Sequence, residues 1–253
     1  MDHITIIGKS RAGTSIAKAL QISPNAKLSA HISARIKKYP LINSEIIIIA
    51  TKDDQIAAVS KKAVAAASKK LRLIVHLAGS LPSTILSTRP GVARLTLHPI
   101  QTFPVPSGHL LRDIYWMASS DDREAIRWSS KFVKGLGGNG VIILKSESLP
   151  LYHAMTVFGS NFITLLFSAI EEMASTLGQN PKKMKAVMRS LAEQSLQNAL
   201  TKPAKSVLSG PIVRKDFATI QKHQRALKSA SPRIQAIYKA FLDYGVTLGT
   251  PKR

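Results

Sequence analysis

The chain has 253 residues, of which 45% are hydrophobic, so it is long enough and apolar enough to bury a substantial core. It contains no cysteine, which excludes disulfides, cysteine zinc sites and thiol nucleophiles. The net charge of +22 would suit nucleic-acid binding, but the basic residues are spread over both halves and only 6% of residues are aromatic. We therefore expect a solvated basic surface and no nucleic-acid partner, with nucleic-acid binding as a remote alternative.

We expect no secretory signal, because no basic segment followed by a long apolar stretch opens the sequence. The longest apolar stretch, 154–170, is interrupted by Ser160 and Asn161 and has the length of a buried helix rather than of a membrane span. We expect a cytoplasmic protein with no membrane partner.

The first half alternates β-branched runs with helical stretches, the pattern of a parallel sheet with crossover helices. The predicted strands are 3–7, 27–32, 45–51, 71–77, 94–98, 114–118 and 141–144. The predicted helices between them are 14–20, 55–70 and 122–135.

The second half is predicted to be helical. Ser148 is a candidate N-cap for a long helix that has Pro150 in its first turn and ends near Gly178. Helices are also predicted over 181–200, 216–228 and 232–248. The sequence thus predicts an α/β fold, with an N-terminal Rossmann-type parallel-sheet domain at 1–146 and an all-helical substrate and dimerisation domain at 147–253.

A glycine-containing loop lies between the first predicted strand and helix. In a dinucleotide fingerprint the first glycine makes the turn, the second admits the pyrophosphate and the third packs the helix on the strand. Here Gly8 and Gly13 fill the first and third places, and Ser10 takes the middle one. Lys9 and Arg11 complete the loop. Its place between strand and helix predicts dinucleotide binding, with a purely structural turn as the alternative.

The region after the second predicted strand indicates which dinucleotide is bound. NAD-preferring domains carry an acidic residue there, which bonds the ribose hydroxyls, but no acid lies between Asp2 and Glu45. Ser33 and Arg35 follow the strand instead, with two lysines close behind. Cations paired with a 2′-phosphate make charge-assisted bonds of about 1.5–3 kcal/mol each. This pattern predicts NADP, although ordinary surface bases remain an alternative.

Several motifs together resemble a known family. They are GKSRAG at 8–13, ATKDDQI at 50–56, VHLAGS at 75–80, LHPIQTF at 97–103, LYHAMTVFGSNF at 151–162 and LSGPIVRKD at 208–216. The chain resembles the Rossmann-like proteins with a C-terminal helical domain of the DUF2520 type, relatives of the 6-phosphogluconate dehydrogenase and pyrroline-5-carboxylate reductase superfamily. The resemblance implies an NADP-dependent oxidoreductase, and it alone suggests ketopantoate as the substrate. Two residues depart from the family pattern: Ser10 at the middle glycine, and Leu149 where many members carry a lysine.

Two histidines are the candidate proton donors, since reduction of a ketone creates an alkoxide that must be protonated. His98 ends the fifth predicted strand, and His153 lies in the first turn of the long helix. On a continuous helix, His153 and Asn161 would share a face, so Asn161 is a third catalytic candidate and Ser160 a substrate-binding one. A core or capping role is the alternative for both histidines.

The remaining candidates border the cofactor or the substrate. We expect Thr51 and Asp54 to contact the cofactor after the third strand, and Gly79 and Ser80 after the fourth. Gln101 and Arg214 are candidate substrate-binding residues, and Arg214 would act as a clamp for an anionic group. No metal is expected, because no His, Asp and Glu cluster has ligand spacing.

The sequence therefore predicts a homodimer that reduces a small anionic 2-oxo acid with NADPH. The alternatives are a reductase of another small carbonyl or imine, and a dinucleotide-binding sensor without catalysis.

Overall fold

The structure, a computed structural model, describes residues 1–249. The chain forms two compact units, Met1–Ser160 and Asn161–Arg253, the second described up to residue 249. The functional boundary predicted near residue 146 stays a prediction.

The first unit is built on a seven-stranded sheet with the order β2-β1-β3-β4-β5-β6-β7. The strands are β1 (Asp2–Ile7), β2 (Ala26–Ile32), β3 (Ile46–Ile49), β4 (Leu73–His76), β5 (Ala93–Pro99), β6 (Tyr115–Ser119) and β7 (Gly140–Ile143). All neighbours are parallel except β5 and β6, which run antiparallel. The predicted α/β fold class is confirmed, with this one antiparallel pair added. The carboxyl ends of β1 to β5 consequently lie at one edge of the sheet.

Both faces of the central strands are buried, which explains their continuous β-branched sequence. In β3, Ile46 and Ile48 face one core, whereas Ile47 and Ile49 face the other. All four side chains are fully buried. Period-two alternation thus places each isoleucine in one of two layers.

Four helices belong to the first unit: α1 (Arg11–Leu20), α2 (Ile56–Ala66), α3 (Arg123–Gly135) and α4 (Leu149–Gly159). Residues of α1 and α3 join the core on one face of the sheet, and residues of α2 join the core on the other. Asp122 caps α3 by accepting a hydrogen bond from the backbone of Ala125.

The prediction of a single long helix over 148–178 is wrong. Helix α4 ends at Gly159, Ser160 has non-helical angles (φ −138°, ψ −70°), and α5 (Asn161–Thr176) begins immediately after it. A glycine, a serine and an asparagine in succession have poor helix propensity, which explains the break. The predicted N-cap, Ser148, makes no side-chain capping bond, although Pro150 does lie in the first turn.

The second unit is helical, as predicted. Its helices are α5, α6 (Pro181–Val187), α7 (Arg189–Thr201), α8 (Ala204–Val207), α9 (Phe217–Ala226) and α10 (Pro232–Gly249). The helix predicted over 181–200 is interrupted at Met188. Asn180 caps α6 and Asp216 caps α9, each by accepting a backbone hydrogen bond.

The stretch Ser146–Thr176 is long and apolar enough to cross a membrane, by length and composition only. A single helix of this kind is weak support for a membrane protein, and the backbone break at Ser160 lies inside it. The sequence predicted a buried helix here, yet the most apolar part of the stretch is not buried within the chain. The prediction of no membrane partner stays a prediction.

Candidate functional site

The loop after β1 leaves no room for side chains at its two glycines. A Cβ atom at Gly8 would lie 2.3 Å from the carbonyl oxygen of Ala50, and one at Gly13 would lie 2.4 Å from the Cβ of Ala50. Gly8 also has φ +108°, a region that only glycine adopts without strain. The first glycine therefore makes the turn, and Gly13 lets α1 pack against the end of β3.

Ser10 at the middle position caps α1. Its Oγ accepts a hydrogen bond from the backbone N–H of Gly13 at 3.1 Å, so the hydroxyl proton remains available to donate. The backbone N–H groups of Arg11 and Ala12 have no partner in the described part of the chain. Unpaired donors in a first helical turn are the groups that bind phosphate. The serine thus organises the turn that a glycine would otherwise leave uncapped.

His31 supports the same loop, a role that the sequence did not suggest. Its Nε2 lies 2.8 Å from the carbonyl oxygen of Gly8, to which it donates. The backbone N–H of Gly8 in turn donates to Ile32 at 2.8 Å. Two contacts from β2 therefore hold Gly8 in place. A half-buried histidine one strand away from a glycine turn gives no signal in a single sequence.

The basic residues predicted to contact a cofactor phosphate lie around this loop and after β2. Lys9, Arg11 and Arg35 are exposed. Ser33 accepts a hydrogen bond from the backbone of Arg35 at 3.3 Å, which tightens the turn. Arg11 also donates to the carbonyl of Pro104 at 3.3 Å. These residues follow β1 and β2, and their contact with a cofactor stays a prediction.

Thr51 and Asp54 follow β3. The methyl carbon of Thr51 lies 2.9 Å from where a Cβ of Gly8 would be, so Thr51 borders the loop directly. Asp54 is exposed in the short 3-10 turn Asp53–Gln55.

A fully buried histidine shapes the loop after β4. His76 Nδ1 accepts the backbone N–H of Ala78 at 3.2 Å, so Nε2 carries the proton and donates to Thr96 Oγ1 at 2.9 Å. The Thr96 hydroxyl then donates to the carbonyl of Leu81 at 3.0 Å. Burial lowers the pKa of His76 to about 4, so the ring is neutral at physiological pH. This chain of bonds fixes residues 77–82, which carry Gly79 and Ser80.

Gly79 lies between the two candidate histidines. A Cβ atom there would lie 2.9 Å from Cδ2 of His153 and 3.0 Å from Nδ1 of His98. The two imidazole centroids are 6.0 Å apart. The structure therefore brings β4, β5 and α4 together at one point. The sequence placed each histidine on its strand or helix but did not predict that the two would meet.

Tyr152 is a further member of this cluster that the sequence did not single out. Its hydroxyl oxygen lies 2.7 Å from His98 Nδ1, and the two rings meet edge to face. Burial lowers the pKa of His98 to about 4, and the charges that His153 and His76 would carry act in the same direction. Burial also raises the pKa of Tyr152 above its usual value. The pair is consequently a neutral imidazole beside a neutral phenol.

Leu149 holds α4 in place beside the site. Its side chain is fully buried and forms a small core with Met117 and Tyr152. A lysine at this position would have to bury its ammonium group in that core. Leu149, the residue that departs from the family pattern, therefore anchors the helix that presents Tyr152 and His153.

The other predicted site residues are less closely grouped. Gln101 is exposed after β5, and its Oε1 accepts the backbone N–H of Thr102 at 2.8 Å. Ser160 donates to the carbonyl of Thr156 at 2.7 Å at the end of α4. Asn161 and Arg214 belong to the second unit. The helix break removes the shared helical face on which the role of Asn161 was argued, so that role stays a prediction, as does that of Arg214.

Residues 114–244, just over half of the chain, match the family described as domain of unknown function DUF2520. The chain belongs to the DUF2520 family. The matched span includes the histidine of α4 but not the glycine loop, so family and loop are independent observations. No curated protein matches this DUF2520 chain.

Solved structures share its fold over nearly the whole length. A Bacteroides fragilis protein assigned as an NADP oxidoreductase has a TM-score of 0.79 at 20% identity, with 97% of this chain and 98% of that chain covered. A reductive aminase from Aspergillus terreus, in complex with NADPH and ethyl levulinate, has a TM-score of 0.66 at 14% identity and coverages of 98% and 95%. A pyrroline carboxylate reductase from Plasmodium falciparum, with NADP bound, has a TM-score of 0.61 at 12% identity and coverages of 98% and 98%. At these identities the likeness establishes the fold.

Proposed function

We propose that this DUF2520 protein is an NADPH-dependent reductase of a small carbonyl compound. The observation that carries the proposal is the placing of His98 and His153 on either side of Gly79, at the sheet edge where the glycine loop also lies. In open α/β sheets, ligands bind outside the carboxyl ends of the strands.

The first unit fits the cofactor. Gly8 and Gly13 let the loop and α1 pack closely against the end of β3, and the first turn of α1 offers backbone donors for a pyrophosphate. The exposed Arg35 after β2 suits a 2′-phosphate, which it would bind by charge-assisted hydrogen bonds. The NADP oxidoreductase, aminase and reductase with the same fold support the choice of NADP.

The two histidines have different roles at the reacting carbonyl. NADPH, when bound, supplies a hydride. His98, neutral because of its burial, donates a hydrogen bond to the carbonyl oxygen as negative charge builds there. His153, half-buried on α4, acts as an imidazolium that gives the alkoxide its proton, which forms the alcohol and leaves the ring neutral.

The substrate proposed first is a small 2-oxo acid, with ketopantoate taken from the family resemblance. A cyclic imine is the second candidate, because a reductive aminase and pyrroline carboxylate reductases share the fold. The high positive charge of the chain favours an anionic substrate of either kind.

The test is consumption of NADPH by the full chain with ketopantoate, other 2-oxo acids and pyrroline carboxylate, each compared with a substrate-free sample and with NADH. We expect one of these substrates to be reduced, with its product identified by mass spectrometry. NADPH binding without turnover of any substrate would contradict the proposal and favour the non-catalytic sensor.

We also propose that the chain forms a homodimer through α4. Leu151, Met155 and Phe158 lie one helical turn apart and are 79%, 64% and 65% exposed, an apolar stripe that soluble proteins usually cover. Sedimentation of wild type and of Met155→Glu tests this: we expect a dimer that the charge disrupts, and a monomeric wild type would contradict it.

A further inference from the structure

The surroundings of Tyr152 and His98 decide which of the two residues donates the hydrogen bond between them. Tyr152 is 6% exposed, and His98 Nδ1 is its hydroxyl's one partner within residues 1–249. If Nδ1 carried the proton, the phenol would accept it and its own O–H would be left without an acceptor. Leaving a buried donor unpaired costs about 1–3 kcal/mol. The phenol therefore donates, and Nδ1 accepts.

The proton of the neutral imidazole must then be on Nε2. No partner for Nε2 exists among the described side chains and backbone groups, and it is absent from the buried unpaired atoms. His98 is itself half-buried, so Nε2 remains open to a ligand. The site consequently presents the Nε2–H of His98 as a donor, while Nδ1 of the same ring is already held by the hydroxyl of Tyr152.

The groups around His98 keep it in this form. His153 and Tyr152 face it from α4, and His76 lies in the neighbouring strand β4. Each additional histidine charge would oppose a positive charge on His98, and the phenol supplies no negative charge to stabilise one. A second proton on Nδ1 would also remove the acceptor of the Tyr152 hydroxyl.

We propose that Tyr152 is a positioning residue that holds His98 as a neutral Nε2–H donor, so that His98 binds the substrate oxygen by a hydrogen bond and does not supply the proton. The part concerning the substrate rests on the proposed reductase function; the part concerning the protonation of His98 does not. His153 is then the group left to deliver the proton.

Nitrogen-15 NMR of the histidine rings in the full chain tests the protonation state directly. The His98 signals are assigned by their loss in His98→Gln. At pH 7.5 we expect a proton on Nε2 and an unprotonated Nδ1, and Tyr152→Phe should shift the Nδ1 resonance while leaving the His31 signals in place. A proton on Nδ1 in wild type, or no change of Nδ1 in Tyr152→Phe, would overturn the proposal.

Two substitutions of His98 test the donor role in catalysis. Glutamine places an amide N–H near the position of Nε2, whereas asparagine places its amide near Nδ1. We expect His98→Asn to lower kcat by about 10²-fold or more, as for loss of an oxyanion donor, and His98→Gln to retain about ten-fold more activity than His98→Asn. Equal losses in the two variants would overturn the donor role.

The two proposals fail separately. If wild type reduces no substrate although the ring nitrogens are protonated as expected, the reductase function fails and the positioning by Tyr152 stands. If wild type turns over but Nδ1 carries the proton, the positioning proposal fails and the reductase function stands.

Discussion

Gly79 leaves no room for a side chain beside His153, since a Cβ atom at residue 79 would stand only 2.9 Å from Cδ2 of His153. His98 closes the other side at 3.0 Å. Cβ atoms essentially never approach another atom within 3.0 Å, and at 3.0 Å the neighbour must move by a few tenths of an ångström, so both rings depend on the absence of a side chain at this position. The loop fixed by His76 and Thr96 carries this glycine.

Gly79→Ala should therefore displace both imidazoles. We expect kcat to fall by about 10²-fold, because a shift near 1 Å at a reacting centre has that effect, while NADPH affinity changes little. The control is Gly159→Ala, whose added Cβ meets nothing within 4 Å. Equal activity of the two variants would show that the histidines do not act at this position.

Ser10 should matter first for stability. Ser10→Ala removes the acceptor of the Gly13 N–H and should lower the free energy of unfolding by about 1 kcal/mol, whereas Ser10→Gly should lower it by a few tenths. Urea unfolding measures both. Identical unfolding curves for Ser10→Ala and wild type would mean that the cap is not formed.

Much of the fold followed from periodicity. The four isoleucines of β3 and the glycine turn at Gly8 predicted a buried strand and a strand-to-helix loop, because burial and backbone sterics act locally. The break at Ser160 did not follow, since an apolar pattern continues across it. Propensity over three residues gave too weak a signal to end a helix.

The contacts of the site were predicted only in part. His98 and His153 were each placed at the right strand or helix, but their pairing across Gly79 depends on three-dimensional packing. The bond of Tyr152 to His98 joins residues 54 apart in sequence, and no spacing rule connects them. His76 was hidden for the same reason, because its role lies in bonds to a loop and to a neighbouring strand.

The buried histidines should make the fold sensitive to acid. The folded pKa values of His76 and His98 are lowered to about 4 from the usual 6.5, so the unfolded chain binds more protons between these values. Their contribution to stability is complete above about pH 6.5 and is lost as the pH falls towards 4. Each histidine contributes at most on the order of 3 kcal/mol to this loss.

Urea unfolding of wild type and His76→Gln at pH 7.5 and 5 checks this expectation. The variant should lose less stability than wild type between the two pH values, because it lacks one of the titrating rings. An equal pH dependence would indicate that folding does not lower the pKa of His76.

Gly8→Ala tests the turn of the glycine loop. The added Cβ would lie 2.3 Å from a backbone oxygen of Ala50, at φ +108°. We expect a loss of unfolding free energy of about 2 kcal/mol or more, from steric overlap and left-handed strain together, with loss of NADPH binding. Retention of wild-type stability in thermal unfolding would contradict the geometry of this turn.

The affinity for NADPH relative to NADH tests the central claim most directly. Fluorescence titration is carried out on wild type, on Arg35→Ala and on the control Lys62→Ala, which lies on α2. Wild type should bind NADPH about ten-fold more tightly than NADH, which corresponds to one charge-assisted bond to the 2′-phosphate. Arg35→Ala should lose most of that preference and Lys62→Ala should keep it. No binding of either dinucleotide by wild type, or equal affinity for both, would contradict the account.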